Sequence, residues 1–292
     1  MRHLISTKNL SNQEVLDIFK DAKDFLDKKP RTLLEGKSIT TIFFENSTRT
    51  LSSFESAARR LGARVLRLDV ARSSSSKGET LYDTAANLDA MNPNAIIIRH
   101  SHSGAPEILS RYIHCPLINA GDGKHAHPTQ ALLDLFTIYE HFEGAVQGKK
   151  IAIIGDIKSS RVANSNIDLL TRFGIKITLV APPHFMPNSN LEYTYDAKKA
   201  IEKADIIMSL RTQVERHEKI VYASLKDYAN NFCINSNLID DKKVILLHPG
   251  PVNRNIDISD EVMNDPRSLI LKQVEHGVAI RMAVLKKFIL EN

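Results

Sequence analysis

The feature that most constrains the fold is a repeated alternation between short apolar runs and amphipathic stretches. The runs at 38–44 (SITTIFF) and 94–100 (NAIIIRH) are rich in β-branched residues and lie between polar segments, which is typical of buried strands. Stretches such as 11–28 instead place their apolar residues at helical spacing, as in a helix that buries one face. Repeated alternation of strand and helix predicts parallel sheets with helices on both sides.

The segment EGAVQGKK at 143–150 separates two such series and predicts a domain boundary. The expected fold class is α/β, with two doubly wound parallel-sheet domains, a substrate cleft between them, and a C-terminal helix that packs back on the first domain. The first domain is expected at 1–143 together with the last helix at about 267–292, and the second at 144–266. The predicted strands are 38–44, 63–68, 94–100, 116–119, 149–156, 175–182, 205–210 and 243–250, and the predicted helices are 11–28, 49–62, 79–91, 104–113, 128–142, 160–173, 196–203 and 267–290.

The composition is that of a soluble globular protein, with 42% hydrophobic and 25% charged residues. No apolar run approaches the roughly 18 residues that cross a bilayer, and the polar, amphipathic N-terminus does not resemble a secretory signal. Cys115 and Cys233 are far apart and belong to no CxxC pair, so buried reduced thiols are expected. These features predict a cytoplasmic protein with no membrane partner.

The charge balance favours small anionic ligands over nucleic acid. The 39 Lys and Arg residues exceed the 34 Asp and Glu residues by five, but this excess is not gathered into a basic run. The chain also has no Trp, and an interleaved aromatic platform for stacking bases is not visible. A few arginines that converge on one cleft are enough to bind a small anion.

Polar side chains follow the predicted strands, where open parallel sheets bind their ligands. After the first strand, Ser47, Thr48, Arg49 and Thr50 stand at the start of a predicted helix. Hydroxyl and amide groups at a helix N-terminus form an anion site, and an arginine adds a bidentate fork. The plainer interpretation of the same residues is a Ser/Thr helix cap beside a surface arginine.

Two more strand exits in the first half carry polar residues. Arg99 ends an apolar strand, and an arginine in that place usually points into a cleft or pairs with a carboxylate. The segment 121–130 (GDGKHAHPTQ) places Pro128 at the favoured first position of a helix. His127 therefore precedes the positive end of that helix, where a neutral imidazole is favoured and its N–H is a good donor to a carbonyl oxygen.

The second half repeats this arrangement. One strand exit carries Arg161, another carries Arg211, and the last predicted strand ends in HPGP at 248–251. With the two arginines of the first half, they predict about four positive charges that face one cleft. Each arginine could simply pair with an acid, but coincidence at all four positions is less expected, so the pattern points to polyanionic substrates.

Two other kinds of site are disfavoured. The pairs His100/His102 and His125/His127 suggest a metal, but HxH is a weak signal without a carboxylate or thiolate at ligand spacing, so neither a metal nor a cofactor is expected. The turn GDIKSSR resembles a dinucleotide-binding turn only loosely, because the Gly-x-Gly-x-x-Gly spacing is absent. A dehydrogenase is therefore disfavoured.

Sequence blocks along the whole chain resemble those of aspartate carbamoyltransferases. The run FFENSTRT is similar to the carbamoyl-phosphate signature of the aspartate and ornithine carbamoyltransferases. The other similar blocks, in the usual order, are SSSSKGETLYDTAANL, IIIRH, NAGDGKHAHPTQALLDLFTIYE, IAIIGDIKSSRVANS, SLRTQVERH, LLHPGPVNRNIDI and QVEHGVAIRMAVL. The resemblance implies transfer of the carbamoyl group of carbamoyl phosphate to L-aspartate, an early step of de novo pyrimidine biosynthesis.

The resemblance also implies a role for each matching residue. The carbamoyl phosphate residues would be Ser47, Thr48, Arg49, Thr50, Ser73, Lys77, Arg99, His127, Gln130, Pro249 and Gly250. The aspartate residues would be Lys77, Arg161, Arg211, Gln213, Gly250 and Pro251. Of these, the residues expected to act in catalysis are Arg49, Thr50, Lys77, Arg99 and His127.

The family resemblance further implies a homotrimer, in which Ser73 and Lys77 reach the active site of a neighbouring subunit, with regulatory or dihydroorotase-like subunits as possible partners. Ornithine carbamoyltransferases are the nearest alternative, but they typically carry His-Cys-Leu-Pro where this chain has HPGP, and Arg161 and Arg211 suit a cationic substrate poorly. A catalytically silent paralogue would be recognised by loss of STRT, HPTQ or Lys77, and all three are present.

Overall fold

The structure is a computed structural model that describes residues 2–27, 29–68, 80–212 and 225–291. The chain divides into two compact units, Met1–Phe136 with Val274–Asn292, and Thr137–Gln273. The division falls inside two helices that run from one unit into the other. Each unit is built on its own parallel sheet, so the prediction of two parallel-sheet α/β domains is confirmed.

The first unit contains a four-stranded sheet in the order β2-β1-β3-β4, with every strand pair parallel. Its strands are β1 Ser38–Phe43, β2 Arg64–Leu68, β3 Ala95–His100 and β4 Leu117–Asp122. Its helices are α1 Asn12–Phe25, α2 Thr48–Arg60, α3 Leu81–Ala90, α4 Ala105–Ser110 and the first part of α5 Pro128–His141.

The second unit contains a five-stranded parallel sheet in the order β7-β6-β5-β8-β9. Its strands are β5 Lys150–Ile154, β6 Lys176–Val180, β7 Glu192–Thr194, β8 Ile206–Ser209 and β9 Ile245–Leu247. Its helices are α6 Arg161–Arg172, α7 Ala197–Ile201, α8 Leu225–Phe232, α9 Ser236–Ile239, α10 Asp260–Met263 and the start of α11 Ile270–Leu290.

The helices form where the apolar spacing predicts them. In α1 the residues on the buried face are Val15, Ile18, Phe19, Ala22 and Phe25. Ser11 and Glu14 form a reciprocal capping box that fixes its first turn. Gly62 follows α2 with φ +85°, the left-handed conformation that commonly ends a helix.

The C-terminal helix α11 returns to the first unit from Val274 onward, as predicted. There Lys286 donates to Asp21 at 2.7 Å. No helix in the described part of the chain is both long enough and apolar enough to cross a membrane.

The main differences from the prediction concern short or exposed elements. Strand β7 was not predicted, because its three residues are largely exposed and show no apolar run. The helices α8, α9 and α10 were also not predicted, and two of them are a single turn long. Strand β4 extends to Asp122 instead of ending at residue 119, so the first two residues of the GDGKHAHPTQ segment belong to the sheet.

Candidate active site

In the first unit, the sheet order brings three polar strand exits to one edge. Strand β3 pairs with β1 on one side and β4 on the other, so their carboxyl ends are neighbours. The Phe44 amide donates to the carbonyl of Arg99 at 2.9 Å, and the Gly123 amide donates to the carbonyl of His100 at 3.0 Å. The predicted anion-binding segments after β1, β3 and β4 are therefore adjacent.

The segment after β1 presents a helix N-terminus. Ser47 is the N-cap residue of α2 in an extended conformation, and among the described residues its hydroxyl caps no backbone amide of the helix. Thr50 is buried, whereas Thr48 and Arg49 are exposed. Ser47 thus occupies the N-cap position without a side-chain cap bond among the described residues, and Arg49 is exposed, as the plainer interpretation expects. Amides, hydroxyls and a guanidinium at the start of α2 form a suitable site for a phosphate group.

Arg99 is oriented by two neighbours at the same sheet edge. Its Nε donates to Glu45 Oε2 at 3.1 Å, and its Nη1 donates to the carbonyl of Ala120 at 3.3 Å. The Arg99 side chain is only 12% exposed, so a carboxylate partner is expected for a charge in that place. Glu45, which carries no predicted role, therefore helps to hold Arg99 beside the start of α2.

The segment after β4 is organised by Asp122, which is fully buried. Its Oδ1 accepts from Asn119 Nδ2 at 2.7 Å and from the Ala126 amide at 3.1 Å. Its Oδ2 accepts from the Gly104 amide at 2.7 Å and lies 3.0 Å from His125 Nδ1. His125, for which the sequence indicated no role, therefore lies beside a buried carboxylate.

The segment after β4 needs a glycine at position 123, because its backbone passes close to the segment after β3. Its φ is +44°, and a Cβ atom there would lie 2.6 Å from the backbone nitrogen of Ser103. Such a contact is closer than real Cβ atoms approach. A glycine at this position lets the β4 exit pass beside the β3 exit.

His127 and Gln130 lie at the start of α5 and are both buried. Gln130 Nε2 donates to Asp134 Oδ1 at 2.8 Å. A carboxylate accepts only, so this bond fixes the amide with its NH2 group toward Asp134 and its oxygen turned away. Gln130 is thereby set to accept a hydrogen bond from an N–H donor such as a carbamoyl nitrogen.

Asp134 lies near a second buried charge, Arg281. Arg281 donates to the carbonyl of Gly277 at 3.1 Å, and its guanidinium carbon lies 5.0 Å from the ring centroid of Phe54. Burial lowers the pKa of Arg281 to about 10, and the charge of Asp134 opposes that change. The Arg281 guanidinium thus places a positive charge near the carboxylate that orients Gln130.

In the second unit, the exits of β5, β8 and β9 are neighbours in the same way. Gly155 has φ +127°, and a Cβ atom there would lie 2.9 Å from the carbonyl oxygen of Leu210. This close approach brings the segment that leads to Arg161 beside the segment that contains Arg211. The sheet therefore places both predicted aspartate-binding arginines at one edge.

The two arginines differ in exposure. Arg161 is the first residue of α6, after the N-cap residue Ser160, and is only 5% exposed. Arg211 is half-buried and is followed by Thr212, which is buried. Two guanidinium groups at one edge suit a ligand with two carboxylates.

The segment after β9 begins with His248, which is buried, and continues with Pro249 and Gly250, which are half-buried. The Gly250 amide donates to His248 Nδ1 at 2.8 Å, and the His248 amide donates to Gln273 Oε1 at 2.9 Å. The peptide bond between Gly250 and Pro251 is cis. Pro251 is exposed beside this backbone.

The structure therefore brings the predicted residues together within each unit. Ser47, Thr48, Arg49, Thr50, Arg99, His127 and Gln130 lie at the edge of the first sheet, and Arg161, Arg211, Pro249, Gly250 and Pro251 lie at the edge of the second. Ser73, Lys77 and Gln213 lie outside the described residues. Both cysteines are free and buried, and burial raises the pKa of Cys115 to about 12.

Sequence reasoning assigned no role to four acidic residues near these edges, Glu45, Asp122, Asp134 and Asp257. Glu45 lies inside the FFENSTRT run, and Asp134 lies one helical turn after Gln130, so motif membership and spacing could have indicated both. Asp257 belongs to no strand exit and has no helical spacing to a predicted site residue, so the sequence pattern did not indicate it.

Two family profiles match the chain in succession. The profile described as "Aspartate/ornithine carbamoyltransferase, carbamoyl-P binding domain" matches residues 2–140. The profile described as "Aspartate/ornithine carbamoyltransferase, Asp/Orn binding domain" matches residues 147–288.

Similar proteins match over the full chain. The chain is 75% identical over 293 residues to the aspartate carbamoyltransferase catalytic subunit of Campylobacter jejuni, covering 100% of this chain and 99% of that protein. It is 64% identical over 292 residues to the protein of the same name from Nitratiruptor sp., covering 100% of both chains.

Solved structures with the same fold are also similar in sequence. The catalytic subunit of M. jannaschii aspartate transcarbamoylase matches with a TM-score of 0.90 and 35% identity, over 100% of this chain and 99% of that chain. Aspartate transcarbamoylase from Trypanosoma cruzi in complex with N-(phosphonacetyl)-L-aspartic acid matches with a TM-score of 0.90 and 33% identity, over 98% of this chain and 95% of that chain.

These matches agree with the blocks quoted from the sequence and with the two parallel-sheet units. The two profiles together span nearly the whole chain, and the relatives align from end to end. The chain therefore belongs to the aspartate/ornithine carbamoyltransferase family.

Proposed function

We propose that the chain transfers the carbamoyl group of carbamoyl phosphate to the amino group of L-aspartate, giving N-carbamoyl-L-aspartate and phosphate, in an early step of de novo pyrimidine biosynthesis. The observation that carries this proposal is the pair of arginines, Arg161 and Arg211, at one edge of the second sheet. Two guanidinium groups attract a dicarboxylate and repel the cationic side chain of ornithine. The relatives named aspartate carbamoyltransferase support the same choice.

Carbamoyl phosphate is assigned to the edge of the first sheet. The N-terminus of α2 suits its phosphate group, and Arg49 would neutralise the charge that grows on phosphate as it leaves. Arg99, held by Glu45, and His127 would donate to the carbamoyl oxygen with Thr50, while the fixed oxygen of Gln130 would accept from the carbamoyl nitrogen. The full set is Ser47, Thr48, Arg49, Thr50, Ser73, Lys77, Arg99, His127, Gln130, Pro249 and Gly250.

Aspartate is assigned to the edge of the second sheet. Arg161 and Arg211 would each hold one carboxylate, which leaves the α-amino group as the free nucleophile. The full set is Lys77, Arg161, Arg211, Gln213, Gly250 and Pro251.

The reaction needs no protein nucleophile. The amino nitrogen attacks the carbamoyl carbon, a carbon–nitrogen bond forms, the carbon–oxygen bond to phosphate breaks, and the departing phosphate takes the proton lost by the amine. Negative charge grows on the carbamoyl oxygen before the bond breaks. Donors fixed around that oxygen therefore supply the main catalytic effect, about 2.7–4 kcal/mol for one donor.

The proposal includes a homotrimer in which Ser73 and Lys77 complete the active site of a neighbouring subunit. The relatives from Campylobacter jejuni and Nitratiruptor sp. are named catalytic subunits, which supports an assembly with further chains, such as regulatory or dihydroorotase-like subunits. The mass of the purified protein in solution tests the trimer directly, and a monomer that retains full activity would contradict it.

The function is tested by assaying the purified protein with carbamoyl phosphate and either L-aspartate or L-ornithine. Carbamoyl-aspartate is expected to form, with kcat/KM for ornithine lower by at least about 10³-fold because its cationic side chain would meet two arginines. An Arg49→Ala preparation made in parallel measures any contaminating activity. Equal use of ornithine, or no transfer to aspartate, would contradict the proposal.

A further inference from the structure

One buried carboxylate joins two strand-exit segments of the second unit. Asp257 lies between β9 and α10, and only 1% of its surface is exposed. Its Oδ1 accepts from the backbone amide of Thr212 at 3.1 Å and from the Thr212 hydroxyl at 2.9 Å. Its Oδ2 accepts from the backbone amide of Asn253 at 2.8 Å. Thr212 follows Arg211 at the exit of β8, and Asn253 lies in the segment that begins at the exit of β9.

Further bonds close this contact into a ring. Asn253 Nδ2 donates to the carbonyl oxygen of Thr212 at 3.1 Å, so the two segments are also joined directly. The backbone oxygen of Asp257 accepts from Ser209 Oγ at 3.3 Å and from the Ile234 amide at 3.0 Å. Both the main chain and the side chain of Asp257 are therefore fixed.

The carboxylate also sets the state of His248. Because the Gly250 amide donates to His248 Nδ1 at 2.8 Å, Nδ1 must be unprotonated and the ring proton must be on Nε2. Nε2 lies 3.4 Å from Asp257 Oδ2, and both side chains are fully buried. A carboxylate in that position favours the Nε2–H tautomer, which in turn holds the Gly250 amide.

A buried carboxylate held by amide and hydroxyl donors is costly unless each donor is well placed. Within the part of the chain that the structure describes, the side chain of Asp257 contacts Thr212, Asn253 and His248, and no lysine or arginine. A hydrophobic residue would fill the same volume without this desolvation cost. The arrangement therefore indicates a need for fixed geometry in these two segments.

We propose that Asp257 is a positioning residue for aspartate: it locks the segment that carries Arg211 to the segment that carries Pro249 and Gly250. This inference rests on the proposed function, because Arg211 and Gly250 are assigned to substrate there. Asp257 acts through Thr212 and His248 and does not itself touch the reacting atoms.

The main test is Asp257→Asn. An asparagine has the same shape but one acceptor oxygen, so its NH2 group must face either the two Thr212 donors or the Asn253 amide. The KM for aspartate is expected to rise about tenfold or more, and binding of N-(phosphonacetyl)-L-aspartate to weaken similarly, while the KM for carbamoyl phosphate changes less than about threefold.

The matched control is Asp265→Asn, in the same unit. Asp265 accepts from Arg267 at 2.8 and 2.7 Å, and Arg267 also donates to the carbonyl of Lys242, so this carboxylate serves local structure. The Asp265→Asn substitution is expected to lower the melting temperature without changing the KM for aspartate or for carbamoyl phosphate. Should Asp257→Asn behave like this control, with an unchanged KM for aspartate, the positioning role is refuted.

A second pair of variants covers the case in which Asp257→Asn does not fold. Thr212→Val removes the hydroxyl donor but keeps the amide bond, and Thr212→Ser keeps both donors. The KM for aspartate should rise a few-fold in the valine variant and return to near the parent value in the serine variant. Equal KM values in the two variants would overturn the inference.

Hydrogen exchange separates this inference from the proposed function. If the parent protein transfers no carbamoyl group to aspartate, the proposed function fails. The exchange rates of the Thr212, Gly250 and Asn253 amides still show whether Asp257 holds the two segments together. These amides should exchange faster in Asp257→Asn than in Asp265→Asn. Unchanged exchange at all three amides would show that Asp257 does not hold the segments.

Discussion

In each unit a buried aspartate holds the segments that follow the strands, but the two aspartates occupy different positions relative to the sheet. Asp122 is the last residue of β4 in the first unit, and it holds backbone amides from the exits of β3 and β4. Asp257 lies outside the strands of the second unit and reaches back to the exits of β8 and β9. The first aspartate is thus part of the sheet, whereas the second joins only the loops.

This difference predicts that substitutions of the two aspartates have different consequences. A change at Asp122 should disturb the sheet together with the segments that we propose bind carbamoyl phosphate. A change at Asp257 should loosen the segments that we propose bind aspartate and leave the strands intact. The arginines differ too, since Arg99 is itself held by Glu45 in the first unit, whereas in the second unit Asp257 holds Thr212, the residue after Arg211.

The largest effect is expected at the first edge, from Arg49→Ala. Removing the guanidinium at the start of α2 takes away charge neutralisation of the leaving phosphate, so kcat should fall by about 10²- to 10³-fold or more. Because Arg49 is exposed, the melting temperature should stay within about 1–2 °C of the parent value.

Arg59→Ala is the control for this variant, because Arg59 is an exposed arginine in the last turn of the same helix. Its kcat should match that of the parent protein. Steady-state kinetics with both substrates, together with thermal unfolding, measures the comparison. A kcat of Arg49→Ala close to the parent value would contradict the catalytic role proposed for the edge of the first sheet.

At the second edge, Arg211→Ala should act mainly on aspartate. A charge-assisted contact contributes about 1.5–3 kcal/mol, so the KM for aspartate should rise roughly 10- to 150-fold while the KM for carbamoyl phosphate stays within about twofold. Arg172→Ala, which removes an arginine paired with Asp168 on α6, is the control. An unchanged saturation curve for aspartate would show that the second edge does not bind its carboxylates.

Asp122→Asn tests the division between sheet and loops directly. The amide leaves at least one of the four donors around Asp122 without an acceptor, and such a buried loss costs about 1–3 kcal/mol of unfolding free energy. The KM for carbamoyl phosphate should rise and the KM for aspartate should change less, the reverse of the pattern expected for Asp257→Asn. Urea unfolding and kinetics measure both effects, and an identical kinetic pattern in the two variants would contradict the division.

The same contrast explains how much of the site could be predicted from the sequence. In the first unit, the proposed site residues and the acids that support them share short segments, since Glu45 lies two residues before Ser47 and Asp122 lies five residues before His127. Rules about strand ends and helix starts therefore located that edge, even though they assigned no role to the two acids. The buried strands also stood out as apolar runs.

In the second unit, the support is distant in sequence from the residue it holds. Asp257 and Thr212 are separated by 45 positions, and Asp257 ends no strand and starts no helix. Local patterns carry no information about such a contact, because it depends on how β8 and β9 are placed side by side. The exposed edge strand β7 and the single-turn helices α9 and α10 were missed for a related reason, as they have no periodic apolar face.

The smallest effect is expected from Asp265→Asn, and its pH dependence shows what a carboxylate without a positioning role does. The Arg267 guanidinium beside Asp265 holds the pKa of that carboxyl at about 2, below its ordinary value of 3.8. A lowered pKa in the folded protein means that the ionised form stabilises the fold above about pH 4, and that this contribution is lost as the pH falls toward about 2. Allowing for solvent screening, the variant should lose on the order of 1 kcal/mol of unfolding free energy near neutral pH.

The difference in unfolding free energy between the variant and the parent, measured by urea unfolding, should narrow at about pH 3, with both KM values unchanged. If the difference instead stayed constant with pH, the stabilisation would not come from the ion pair, and Asp265 would no longer serve as the structural reference for Asp257.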